Sequence, residues 1–115
     1  MAKRAAEFFV QDIFECIEHL EQYTNGVTFA DFELNIEKQD AVMRRIEIIG
    51  EATKNLPIDL RNNYPQIPWK QMAGLRDIVT HVYFGLRLHV VWNVATVEMP
   101  ALKPEIQKII EDLAK

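Results

Sequence analysis

The stretch Arg4-Ala5-Ala6-Glu7-Phe8-Phe9-Val10-Gln11-Asp12-Ile13-Phe14-Glu15-Cys16-Ile17-Glu18-His19-Leu20-Glu21-Gln22-Tyr23 decides the fold class. Phe9, Ile13, Cys16, Leu20 and Tyr23 recur at three and four, the period that lays side chains along one stripe of an α-helix. Phe8, Phe14 and Ile17 widen that stripe. A strand would need strict alternation, which the stretch lacks. Outward from it the same period returns. Asn25-Gly26 closes the first helix in a turn. Thr28 followed by Asp31 resembles a capping arrangement for a short helix through Phe29, Phe32 and Leu34.

A longer helix is predicted from about Glu37 to Leu56, with Val42, Ile46, Ile49, Thr53 and Leu56 on its stripe and Met43 and Ile48 beside it. Gly50 interrupts it, and Gly costs ~1 kcal/mol against Ala in such a place. We read it as a point where another backbone crosses. Pro57 stops the helix and opens a short turn over Ile58–Asn63. Tyr64-Pro65-Gln66-Ile67-Pro68 is a stiff connector, and Pro68 suits the first turn of a helix from Trp69 to about Val82. Gly85 ends that pattern. Leu88, Val91, Val94 and Ala95 predict a helix ending near Glu98. Pro100 or Pro104 then starts a last one through Leu102, Ile106, Ile109, Ile110 and Leu113. The expectation is an all-α protein, an antiparallel bundle of four to five longer helices filling one domain, 1–115.

Composition narrows the function classes. Apolar residues make up 49% of the 115, enough for a hydrophobic core, although a chain of this size gains from a partner or a second copy. The formal net charge of −4 counts against wrapping nucleic acid by bulk electrostatics, but not against a few cations in a cleft. The lone cysteine, Cys16, excludes an intrachain disulfide and reads as a buried thiol. No run approaches the ~18 apolar residues of a membrane span, and Met1-Ala2-Lys3-Arg4 is not followed by a signal-type apolar run. A cytoplasmic, reduced protein with no membrane contact is expected.

Candidate chemistry concentrates in Gly74-Leu75-Arg76-Asp77-Ile78-Val79-Thr80-His81-Val82-Tyr83-Phe84-Gly85. An Arg and a His together suffice to cleave RNA without a metal. The imidazole takes the proton of a ribose 2′-hydroxyl or gives one to the leaving oxygen. The guanidinium holds the phosphate and offsets its developing charge. On an unbroken helix Arg76 and His81, five apart, point about 140° away from each other with a rise of about 7.5 Å. Arg76 and Tyr83, seven apart, share a face. Bringing Arg76 to His81 therefore needs the reach of the Arg stem, an unwound helix end before Gly85, or a second copy across a two-fold axis. We favour the symmetric dimer. Taken singly, an Arg, a His and a Tyr near a helix end are more often caps or satisfied core groups. His19 and His89 read as ordinary. Glu47 and Glu51, four apart on one face, could form a paired-carboxylate site, but read rather as an exposed helix face or as partners of Arg44 and Arg45. No metal cluster, phosphate loop or nucleophile elbow is present in the sequence.

Arg76-x-x-x-x-His81-x-Tyr83 resembles the signature of the HEPN superfamily, in its HepT-like branch. The likeness extends to Ile48-Ile49-Gly50-Glu51-Ala52-Thr53-Lys54-Asn55-Leu56, to Tyr64-Pro65-Gln66-Ile67-Pro68-Trp69-Lys70, and to Tyr83-Phe84-Gly85 with Val91-Trp92. It covers roughly residues 5 to 113. The resemblance implies an all-helical homodimer whose paired signatures line a cleft. It implies a metal-independent endoribonuclease toxin that needs no cofactor, with Arg76 and His81 as the catalytic pair and Asp77 and Thr80 in support. Asp77 stands where the family commonly has Asn, and its charge bears on RNA affinity. The resemblance further implies a partner, an MntA-type nucleotidyltransferase antitoxin that adds AMP to Tyr83. The alternative is a non-catalytic helical binding subunit of a two-component nucleotidyltransferase.

Overall fold

A computed structural model describes residues 2–82 and 87–115, with side chains from Ala5 to Thr80 and from Arg87 onward. It is helical throughout, with no strand among the described residues. The elements are α1 (Ala2–Thr24), α2 (Phe29–Glu33), α3 (Ile36–Lys54), α4 (Ile58–Asn63), α5 (Trp69–Ala73), α6 (Leu75–Val82), α7 (Leu88–Asn93), a π-helical turn (Val94–Glu98) and α8 (Met99–Leu113). Helix α1 packs on α3 along one side and on α8 along the other, while α5 and α6 lie across the C-terminal half of α3.

Local chemistry sets the boundaries. Gly26 follows α1 with φ +72°, a left-handed conformation that a side chain would strain. The Thr28 hydroxyl accepts from the Asp31 N–H at 3.1 Å, so the predicted cap forms. Asn35 caps α3 in the same way, accepting from the Lys38 N–H at 3.0 Å. Lys38 then donates through Nζ to the Tyr23 carbonyl at 2.7 Å, which satisfies the open end of α1. The Trp69 indole N–H lies 3.0 Å from both the Arg61 and the Tyr64 carbonyl, pinning the proline-bearing connector onto α4.

The stripe predicted on α3 is buried at every position: Val42, Ile46, Ile49, Thr53 and Leu56. On α1 the expected stripe is buried in its middle and not at its ends. Ile13, Cys16 and Leu20 are buried together with Ala6, Val10 and Ile17, whereas Phe9, Phe14 and Tyr23 are partly buried and Phe8 is exposed. The reason is that α1 has neighbours on two sides, and their combined contact is centred between the aromatic edges.

Two expected boundaries are corrected. The helix predicted over Trp69–Val82 is divided at Gly74, whose N–H bonds back to the Lys70 and Gln71 carbonyls at 3.2 and 3.1 Å while its own carbonyl starts α6 through Asp77. The break predicted near Glu98 does not occur. The chain runs helically through it, and the Met99 N–H bonds the Val94 carbonyl five residues back. Pro100 lacks an N–H and its ring would meet the Thr96 carbonyl in an α-turn. The wider π-turn immediately before it takes up that conflict.

Candidate functional site

The site is built where α6 meets α3. At Gly50 a Cβ would stand 3.4 Å from both the Arg76 amide nitrogen and the Met72 carbonyl oxygen, and 3.7 Å from the Ala73 carbonyl oxygen. Gly50 is thus the predicted crossing point, and the element that crosses it is the α5–α6 junction. Close approach at Gly50 sets the start of α6 beside the next residue of α3, Glu51. Arg76 Nη1 donates to Glu51 Oε1 at 3.2 Å, and Lys54 Nζ lies 3.9 Å from the same oxygen.

Glu51 belongs to a longer face. Arg44, Glu47, Glu51 and Asn55 recur at three and four along α3 and line a groove of about 290 Å³, closed by Asp12 of α1 and by Arg76. Phe9 and Ile48 give it an apolar floor. Partial burial, reinforced by neighbouring Glu15, pushes the Asp12 carboxyl above its usual range. The groove therefore offers guanidinium donors beside carboxylates over a stackable floor.

The remaining predicted residues take the following places. Asp77 is exposed on α6 next to Arg76. Thr80 is exposed, and its hydroxyl donates to the Arg76 carbonyl at 3.1 Å, so it braces the backbone that carries Arg76. His81 lies on α6 near its end, and its side chain falls outside the described residues, as does Tyr83 entirely. Arg76 is brought to Glu51 rather than to any described imidazole. His19 stacks on Tyr23 with ring centroids 5.7 Å apart, and His89 is exposed. Burial pushes the Cys16 thiol up, outweighing the nearby Arg45 guanidinium. Among the described residues no group of three or more His, Cys, Asp or Glu could hold a metal. No described helix is long and apolar enough to cross a membrane.

Glu51 is exposed, one of the two places the sequence reading allowed it, but its partners are Arg76 and Lys54 rather than Arg44 or Arg45, and sequence reasoning did not place Glu51 or Lys54 in this site. The signal was present in Gly50. A glycine that admits a crossing backbone also delivers that backbone's side chains to its neighbours in sequence.

The profile of the ribonuclease HepT-like family matches residues 13–109, which hold both Gly50-Glu51 and the Arg76 segment. The chain belongs to that family. Among its relatives is a "Gamma-glutamylcyclotransferase and putative RNase" of Methanocaldococcus jannaschii, 47% identical over 98% of this chain and 51% of the relative. A "Putative RNase" of the same organism is 42% identical over 98% of this chain and 93% of its own length. A "Probable ribonuclease HepT" of Thermococcus cleftensis is 41% identical over 93% of this chain and 97% of its own. The HepT-like chain thus spans about half of the first relative and nearly all of the other two. No solved structure matches it.

Proposed function

We propose that this HepT-like chain is a metal-independent endoribonuclease, the toxin of a toxin–antitoxin pair, acting in the cytoplasm as a symmetric dimer of one-domain chains. The observation that carries the reading is Arg76: a guanidinium 58% exposed at the mouth of a groove, within a ribonuclease-family frame. Arg76 holds the scissile phosphate of RNA. The ribose 2′-oxygen bonds to phosphorus as the bond to the leaving oxygen breaks. His81 takes the 2′-hydroxyl proton or supplies one to the leaving oxygen. Pairing two copies brings the two side chains to one phosphodiester. Thr80 supports the Arg76 backbone, and Asp77 sets the local charge. A partner nucleotidyltransferase of the MntA type neutralises the toxin by adding AMP to Tyr83, which places bulk and negative charge beside the phosphate site.

The test is cleavage of total RNA by the purified chain in EDTA, with growth arrest on expression. Both are expected for the wild type and absent for His81→Ala. Cleavage that persists undiminished in His81→Ala removes the catalytic assignment. A second reading, the non-catalytic binding subunit of a two-component nucleotidyltransferase, is favoured by the carboxylates Asp12, Glu47 and Glu51 in the groove. It predicts a stable complex with the partner and no cleavage at any protein concentration.

A further inference from the structure

Arg76 and Lys54 share one carboxylate oxygen, at 3.2 and 3.9 Å, although they come from different helices. Their side chains and that of Glu51 are each about half exposed: 58% for Arg76, 49% for Lys54 and 49% for Glu51. Ion pairs this exposed are weak and exchange readily with other anions. A phosphodiester oxygen carries the same charge and accepts the same donors as a carboxylate oxygen, and a guanidinium fork suits either. The arrangement is not an accident of two long side chains. Close approach at Gly50 fixes the start of α6 against the last turns of α3, so Arg76 from one helix and Lys54 from the other meet at the same Glu51 oxygen, at the edge of the groove that Glu51 and Arg76 line.

We propose that Lys54 is a second phosphate-binding cation of this site, and that Glu51 is the internal anion which RNA displaces from Arg76 and Lys54. The inference rests on the nuclease reading. It adds a binding residue outside the Arg76–Tyr83 segment and a competitor that governs its availability. In the free protein Glu51 holds the two cations close enough to reach one phosphodiester or two successive ones. When RNA arrives, its phosphate oxygens replace Glu51 Oε1, and the carboxylate swings to solvent. The simpler role for Lys54 is to face the carbonyl end of α3, where a cation is favourable. That role predicts an effect on unfolding and none on RNA.

The experiment measures binding of a short 2′-O-methyl oligonucleotide of mixed sequence, which lacks the attacking hydroxyl, over a range of salt concentrations. Thermal unfolding of each variant is followed alongside. Lys54→Ala is expected to weaken binding and to lower the slope of log affinity against log salt by about one, with Lys54→Arg restoring both. Glu51→Gln is expected to bind roughly fivefold more tightly, as for removal of one exposed competing charge. Unchanged affinity and slope in Lys54→Ala overturn the proposal for Lys54. Unchanged or weaker binding by Glu51→Gln overturns the competitor role and makes Glu51 a positioning residue for Arg76. If either occurs while Arg76→Ala still flattens the salt slope and stops cleavage of unmodified RNA, the nuclease reading stands and only this inference falls. A wild type that neither binds nor cleaves removes both.

Discussion

Helix α3 contributes to two neighbourhoods built on opposite rules. Helix α3 packs on α1, and its Val42, Ile46 and Ile49 are fully buried in one core with Val10, Ile13 and Ile17 of α1. Toward α6 it presents Gly50 and then Glu51, and what meets them is backbone and an exposed guanidinium. The first contact is set by volume: methyl groups fill space, and their removal leaves a void. The second is set by distance between backbones, with its charged groups left in water, where they contribute little to stability. Stability is thus carried by one set of residues on this helix and the proposed chemistry by another, and substitutions should separate them.

The largest effects fall at the two extremes. Ile46→Ala removes buried methyl groups from the α1–α3 contact and should lower the unfolding free energy by about 2–5 kcal/mol, read by denaturant titration. Arg76→Ala should do the reverse. RNA cleavage falls by about 10²–10³, the cost of losing one group that stabilises transition-state charge, whereas stability moves by less than about 0.5 kcal/mol. An Arg76→Ala protein as destabilised as Ile46→Ala would mean that the guanidinium is a structural group and the division is wrong. Gly50 tests the boundary between the two neighbourhoods. A Cβ there just reaches contact, so Gly50→Ala should be near neutral, its better helix propensity offsetting the tight fit. Gly50→Leu has no room beyond the Cβ and should cost about 1–3 kcal/mol. It should also displace Arg76 from Glu51, so that cleavage falls even at temperatures where the protein stays folded.

The same contrast explains what was legible in the sequence. Periodicity reports burial, so the α3 stripe was read correctly from Val42 to Leu56. It reports less well when a helix is contacted by more than one neighbour: on α1 the middle of the expected stripe, Ile13, Cys16 and Leu20, is buried, but its ends Phe9 and Tyr23 are only partly so, and Ala6 and Val10 take the buried places instead. Pro100 signalled a break because an α-turn cannot absorb it. The π-turn ending at Met99 gives no composition signal, so continuity from α7 to α8 was out of reach. At the site, Gly50 announced a crossing but not its partner. That Arg76 would meet Glu51, twenty-five positions earlier, depends on how α5 and α6 lie across α3. Family resemblance drew attention to the segment from Arg76 to Tyr83, whereas the cations gathered by Glu51 emerge only from the packed structure.

A further prediction concerns stability alone, at a polar contact away from both neighbourhoods that joins distant parts of the chain. Tyr64, in the connector before α5, donates through its hydroxyl to Asp112 Oδ2 of α8 at 2.6 Å, across forty-eight positions of sequence. That bond to the carboxylate, with partial burial and the negative charge behind it, pushes the Tyr64 phenol up to about 12. A phenol whose folded value is raised stabilises the fold in its protonated form. The contribution is therefore whole below the unfolded value near 10, and it is lost as pH rises from there through about 12. Tyr64→Phe should cost about 1.5–3 kcal/mol at neutral pH, the range for a hydrogen bond to a charged acceptor, without altering RNA cleavage. The deficit should shrink as the wild type is taken through that alkaline window, and the highest-pH step of its ultraviolet phenolate titration should disappear in the variant. A deficit that stays constant to high pH would assign the effect to packing of the ring rather than to the bond. The contact with Asp112 would then belong with the weak exposed pairs of the groove and not with the core it borders.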